Sequence, residues 1–514
     1  VLRVASSNLA CPTIFSTPSF THQAVENSVP EPISASRRRW SFAAAMMASF
    51  VAAVEVTIVA TAMPTIVGAL GDFDLFSWVF TAYLLIQGVT VPIYGRLCDF
   101  YGRKRVLYFG IVFFVIGSVM CGFAWNMMSL IVFRIVQGFG AGSLATVSQT
   151  IVSDLYPPAE RAKVQGYIST TFATSALVGP VLGAFIVAHW SWQWVFWINV
   201  PLCFVAIAML AATFREHVEL RPHQIDYLGS LLMALATGLL MYALTRAASL
   251  SGAVLLLLLA GAALAFVLLL IQERRAREPM MPLEIWRNRM VIFGNCASAS
   301  LGGAQMAITA FLPPFIQGVL GQSAFLAGLA LTAMSMAWPI GGFIAGRSLL
   351  RITYRKSSSL GSLVLITGSV MMAFLDPALG AIWAIASAFI VGLGMGLTNM
   401  GFFVGIQSSV DWHQRGVVTS SFNYTRIIGQ SIGAAVFGGI VNAALADKVE
   451  AGSDIVSRLL DPALRRSIPL AELAPVMDAF AGALHHIYAI NIVLAVSTLV
   501  WALSLPRGLS LRSS

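Results

Sequence analysis

The chain is 514 residues long, with 58% hydrophobic residues, 10% charged residues and a formal net charge of +9, whereas a soluble domain carries about 25% charged residues. That balance excludes a water-soluble globular protein and leaves a polytopic membrane protein. It also excludes nucleic acid as the reason for the positive charge, because the Lys and Arg residues fall in short clusters between apolar runs and not along one polar face.

Residues 1–39 are rich in Ser, Pro and Thr, contain no long apolar run and no evident cleavable signal, and are expected to form a disordered cytoplasmic tail. A bilayer core about 30 Å thick needs about 20 apolar residues of helix. Fourteen runs meet that need, near 41–66, 76–96, 105–123, 127–149, 165–188, 194–213, 227–245, 251–271, 290–317, 323–346, 358–375, 380–406, 417–443 and 484–504. The turns "GDFD", "AWNM" and "HWSWQW" carry almost no Lys or Arg. The alternate loops carry Arg37–Arg39, Arg96 with Arg103, Lys104 and Arg105, "ERAK", "QERRARE" and "RSLLRITYRK". Cytoplasmic loops keep positive charge, so the alternation implies an even number of spans with both termini cytoplasmic.

"PIYGRLCDFYGRKRVLYFG" after the second run is echoed by "FIAGRSLLRITYRKSSSLG" after the tenth, with Gly95 and Arg96 matching Gly346 and Arg347. Two repeats of six spans with two inserted helices account for fourteen. The expected fold is therefore all-α and integral to the membrane. It comprises an N-terminal six-helix bundle (40–214), two linker transmembrane helices (215–289), a C-terminal six-helix bundle (290–506) and a cytoplasmic tail (507–514). The linker helices carry little charge and are expected at the lipid-facing periphery. Segment 444–483 is expected to be a periplasmic loop with short amphipathic helices.

Glu55 is the acidic residue placed deep in a span, where a charged carboxylate costs several kcal/mol. A carboxylate that alternates between neutral and ionised forms there is what a proton carrier needs; the alternative is a permanently protonated Glu55 bonded to Thr57 or Thr61. Arg134 and Arg426 are intramembrane cations that cannot discard a proton. Each is read either as part of a site or as a clamp between helices, with Gln137 or carbonyls as partners for Arg134, and packing is favoured for Arg426 with Gly429 and Gly433. Glu55, Tyr83, Gln87, Phe311, Phe315, Gln317 and Met334 are candidates for a substrate cavity, alongside Met63, Met306, Met336 and Trp338. Aromatic and thioether surfaces of this kind suit varied amphipathic ligands, and they suit lipid contact or core packing equally well.

"GRLCDFYGRKRV" resembles the G-x-L-x-D-x-x-G-R-K/R loop between helices 2 and 3 of the major facilitator superfamily. "RIVQGFGAG" (134–142) looks like its helix 4 motif, and "SALVGPVLGAF" (175–185) looks like the G-P-x-x-G motif of antiporters. "VEVTIVATAMP" (54–64), "WQWVFWINVP" (192–201) and "NYTRIIGQSIG" (423–433) are similar to stretches of the fourteen-helix drug:H⁺ antiporter branch, in which Asp usually stands where this chain has Glu55. The resemblance implies proton coupling through Glu55 and Arg134. It implies a conformational latch built on Gly95, Asp99, Gly102 and Arg103 that favours an outward-facing state. It further implies an antiporter gate at Gly179, Pro180 and Gly183.

No GxxxxGK[ST] stretch is present, and no cytoplasmic loop is long enough for a nucleotide-binding domain, which excludes ATP-driven export by this chain alone. The seven histidines lie in loops or near run ends without HExxH spacing, and the five cysteines show no CxxC or metal spacing. An enzyme, a zinc site and a disulfide framework are therefore not expected. The expected function is proton-coupled export of amphipathic, cationic drugs or toxic compounds across a bacterial inner membrane by alternating access, with no cofactor beyond the proton gradient. The expected partners are small molecules, protons and lipid, with no nucleic acid; a periplasmic adaptor or outer-membrane channel is not legible. An exporter of an endogenous lipid, siderophore or secondary metabolite, or a sensor on a transporter fold, is the alternative.

Overall fold

The computed structural model describes residues 34–156, 158–214, 216, 226–247, 250–276, 283–349, 351–376, 380–410, 414–446, 459 and 470–506. Lipid offers no partner for a backbone N–H or C=O, so each apolar run must satisfy its own as a helix. Among the described residues fourteen long helices result: α1 (Ala35–Leu70), α2 (Phe76–Tyr101), α3 (Arg103–Gly122), α4 (Met127–Leu155), α5 (Pro158–His189), α6 (Asn199–Thr213), α7 (Tyr227–Thr245), α8 (Gly252–Arg275), α9 (Arg289–Thr309), α10 (Ala324–Ser348), α11 (Tyr354–Ala373), α12 (Gly380–Ser408), α13 (Arg415–Ala446) and α14 (Leu470–Ser504). A short helical turn, Trp194–Trp197, precedes α6, and a π-helical turn, Phe315–Val319, follows α9.

Short polar side chains set many of the starts. Ser34, Asn126, Asp226, Ser251, Asn288, Ser323 and Thr353 each accept a hydrogen bond from an amide in the first turn of the helix that follows, supplying a partner the helix itself lacks. Thirteen of the helices are long and apolar enough to cross a membrane. The exception is α11, which buries Ser357, Ser358, Ser362 and Ser369. Its polarity is matched across the interface with α14, where Thr498 donates to Ser362 and Asn491 to Ser369.

Helices α1–α6 form one bundle and α9–α14 the other, joined along two seams, α5 against α10 and α2 against α13. At the end away from the basic loops the bundles lock together. Phe73 meets Phe480 and Phe76 meets Phe311, both with ring centroids 5.6 Å apart, and Asn442 Nδ2 donates to the Asp74 carbonyl at 2.8 Å. Toward the basic end, a Cβ at Gly95 of α2 would meet nothing within 4 Å.

Two boundaries and one placement differ from the sequence reading. α1 begins at Ala35, inside the expected tail, because Ser34 caps it and Arg37 Nε donates to the Thr213 carbonyl at 2.9 Å. α14 begins at Leu470, so 470–483 is helix continuous with the last span, while 447–458 and 460–469 lie outside the described residues. The inserted pair is not uniformly peripheral. α8 turns Leu256, Leu257 and Leu264 outward, but α7 packs on both α2 and α13, with Tyr242 against Trp78 and the Leu244 carbonyl against Gly439.

Candidate functional site: a sealed carboxylate, guanidinium and amide cluster

Five helices of the first bundle converge on one polar cluster. Glu55 comes from the middle of α1, Arg134 and Gln137 from adjacent turns of α4, Asn199 from the first residue of α6, Ser118 and Cys121 from α3, and Tyr83 from α2. All seven are fully buried. Close approach of the backbones makes this possible: a Cβ at Gly138 of α4 would lie 2.6 Å from the Tyr83 carbonyl, and one at Gly117 of α3 would collide with the backbone of Gln137.

Arg134 Nη1 donates to Glu55 Oε1 in a direct ion pair and to Gln137 Oε1 at 2.7 Å, while its Nε reaches the Val79 carbonyl at 3.3 Å. Asn199 Nδ2 donates to the other carboxylate oxygen, Oε2, at 2.6 Å. Gln137 is oriented in turn by its own donation to Ser118 Oγ at 2.8 Å. The Tyr83 ring lies 4.0 Å from the guanidinium carbon, a cation–π stack in a fully buried setting. Arg134 Nη2, Asn199 Oδ1 and the Tyr83 hydroxyl have no hydrogen-bond partner among the described residues.

Each carboxylate oxygen therefore accepts from one donor, and protonating Glu55 would exchange an acceptor for a donor at one of them. Asn199 is suited to that exchange. Turned over, its amide would present the unpartnered Oδ1 to a protonated Glu55, accepting where it had donated. Thr57 and Thr61 bond the carbonyls of Val54 and Thr57 instead of Glu55. Asn199 is not among the residues singled out by sequence; its signal is a lone amide at the head of the apolar run "NVPLCFVAIAML".

At the turn between α2 and α3, Gly102 has a positive φ of 84°, a conformation that favours glycine. The first amides of α3, from Arg103 and Lys104, donate to the Glu216 carboxylate at 2.6 and 3.0 Å. Arg103 Nε pairs with Asp154 Oδ2 at 2.9 Å. Glu216 and Asp154 are thus further latch candidates, identifiable in sequence only as charges beside spans. The side chain of Asp99 lies outside the described residues.

In α5, a side chain at Gly179 would collide with Thr57 Oγ1, and a Cβ at Gly183 would lie 2.8 Å from the Ile58 carbonyl. The Pro180 carbonyl lies 2.8 Å from a Cβ position on Gly328 of α10. The motif thus presses α5 onto α1 within its bundle and onto α10 across the seam. The expected cavity residues do not gather. Tyr83 belongs to the polar cluster, and Gln87 is buried one turn along α2; Phe311, Phe315 and Gln317 are buried at the locked end, and Met334 is buried on α10. Gly429 and Gly433 bring α13 onto Ala299 and Gly303 of α9. The Arg426 side chain makes no hydrogen bond or ion pair among the described residues; the clamp is made by its backbone carbonyl, which sits against Gly302.

The model of the Major Facilitator Superfamily matches residues 45–434. The chain belongs to that superfamily. It is 31% identical over 477 residues to Multidrug resistance protein 3 of Bacillus subtilis (strain 168), covering 89% of this chain and 93% of that protein. It is 33% identical over 417 residues to Multidrug transporter protein MdtP of the same organism, covering 79% and 76%. The solved structure of a bacterial homologue of the human lysosomal transporter Spinster, inward-facing and unoccupied, shares the fold with a TM-score of 0.66 at 15% identity, over 92% of this chain and 98% of that chain. The protein is a multi-pass membrane transporter of the major facilitator superfamily, and both of these Bacillus relatives carry multidrug names.

Proposed function

We propose that this transporter exports amphipathic compounds across the bacterial cytoplasmic membrane in exchange for protons, using the proton gradient and no cofactor. The observation that carries the proposal is the sealed cluster in which Arg134 and Asn199 each hold one oxygen of Glu55. A buried ion pair is not justified by stability, since well-packed apolar residues of similar volume serve as well or better. It is suited to a change of charge: on protonation Glu55 gives up its ion pair with Arg134, and α1 and α4 lose the charged link between them.

The positive-inside rule assigns the basic loops to the cytoplasm, so on this reading the locked Phe73, Phe480 and Asn442 end faces out and is closed in this state. α5 carries Pro180 at the α10 seam and Gly179 against Thr57, which lies two positions along α1 from Glu55. Rocking at that seam then couples bundle motion to the surroundings of Glu55. In this state the Glu55 carboxylate is buried and already accepts from Arg134 and Asn199, so it does not favour cationic over other amphipathic cargo.

The test is uptake of a fluorescent amphipathic dye into inside-out vesicles under an imposed pH gradient. Wild type is expected to concentrate the dye and to lose that ability with an uncoupler, and Glu55→Gln is expected to equilibrate it at best. Uphill accumulation by Glu55→Gln would place coupling elsewhere.

A further inference from the structure

The second bundle holds a cation that nothing in the coupling cluster uses. Arg426 sits on α13 well inside the membrane, half-buried, with Nε buried and without a partner among the described residues. A guanidinium keeps its proton, and an intramembrane arginine ordinarily pairs with a carboxylate or carbonyls. The carboxylate deep in a span, Glu55, belongs to the other bundle and is taken by Arg134.

The register of α13 fixes where Arg426 points. Tyr424, Ile427 and Ser431 face α2, with Ile427 against Gly88 and Ser431 donating to the Thr81 carbonyl at 3.3 Å. Phe422, Thr425 and Gly429 face α9, through Ser298, Asn295 and Ala299 respectively. Asn423, Arg426 and Gln430 occupy the face between these two contacts, all half-buried. One end of that face is closed where Phe437 meets Phe311 at 5.9 Å, and below it Gln430 Nε2 donates to Gln305 Oε1 of α9 at 2.8 Å. The face between the bundles is thus roofed by aromatic rings, lined by amides and charged by a guanidinium that has no partner among the described residues.

We infer that Arg426, flanked by Asn423 and Gln430, is a cargo subsite for an anionic group, and that the transporter takes amphipathic molecules bearing a carboxylate or a comparable acid. A planar guanidinium matches a carboxylate in fork geometry, and the amides supply donors to its remaining lone pairs. The inference rests on the reading of this chain as a small-molecule exporter and names the chemical class of its cargo.

The probes are tetramethylrhodamine, which carries a free carboxylate, and its methyl ester, which carries the same xanthene cation without it. Binding to purified protein in detergent is followed by fluorescence anisotropy with no gradient, so a failure of proton coupling, read in vesicles, stays separate from a failure of this subsite. Wild type is expected to bind the free acid tighter than the ester. Arg426→Gln is expected to weaken the acid roughly tenfold, the scale of a charge-assisted hydrogen bond, and to leave the ester unchanged, with Arg426→Lys in between. Wild type without preference for the acid, or equal weakening of both dyes by Arg426→Gln with a normal melting profile, would overturn the assignment. Should Arg426→Gln fail to fold, a reduced advantage of the acid in Arg426→Lys supports the subsite, and its full retention in both Arg426→Lys and Gln430→Ala overturns it.

Discussion

Replacing Arg134 by Met removes a direct ion pair to Glu55, a 2.7 Å hydrogen bond to Gln137, a 3.3 Å bond to the Val79 carbonyl and the stack on Tyr83, while leaving the carboxylate in place. Breaking a buried pair from one side costs about 3–5 kcal/mol because the surviving charge is uncompensated. The cation–π contact adds about 2 kcal/mol at a desolvated site. Glu55→Gln alone costs less, since the amide can still accept from Arg134 and keep a contact with Asn199. The double variant, Glu55→Gln with Arg134→Met, leaves no charge in the cluster, so most of the penalty of Arg134→Met returns, with a coupling of about 2–4 kcal/mol from the same reasoning. Thermal melting in detergent, followed by intrinsic tryptophan fluorescence, measures all four proteins. A double variant as unstable as the sum of its parts would refute the idea that the two charges exist for each other.

Asn199→Leu, which removes the 2.6 Å donor to Glu55 Oε2, is expected to cost about 1.5–3 kcal/mol as a hydrogen bond to a charged group and to slow proton-driven accumulation more than downhill equilibration; initial rates in vesicles compare the two. Gly179→Val drives a branched side chain into Thr57 Oγ1 and is expected to lose about 1–3 kcal/mol by overpacking, with Thr57→Ala restoring part of the melting temperature. Glu216→Gln weakens the charged cap on the Arg103 and Lys104 amides by about 0.5–2 kcal/mol, seen as faster hydrogen exchange at the start of α3 without loss of dye binding. Cys pairs at Phe73 and Phe480, whose rings meet at the locked end, are expected to cross-link with a short bifunctional thiol reagent and to stop transport; cross-linking that leaves transport intact would mean this end does not open.

Much of the fold was legible because a bilayer makes hydropathy nearly sufficient: thirteen of the expected spans stand out by length and composition alone. The fourteenth, α11, shows why even that rule has an edge, since its buried serines are answered by Thr498 and Asn491 on α14, far away in sequence. The same distance hid Asn199 and Glu216, whose roles exist only through partners on other helices. Glu55 and Arg134 were visible because a charge deep in an apolar run costs too much to be incidental. The aromatic and methionine candidates did not resolve into a wall: Phe311 and Phe315 belong to the locked end, and their type is as common in packing as in binding. Periodicity likewise could not place α7 against both bundles, because an apolar helix reads alike whether it faces lipid or protein.

The central claim is that Glu55 carries the proton that cargo movement exchanges. The most direct test is the luminal pH of liposomes containing purified protein, read with an entrapped pH dye, when an amphipathic substrate is added outside in the absence of a preset gradient. The account predicts a substrate-dependent proton movement in wild type that is absent in Glu55→Gln, although the variant still binds substrate. A Glu55→Gln protein that moves protons with substrate as wild type does would contradict it.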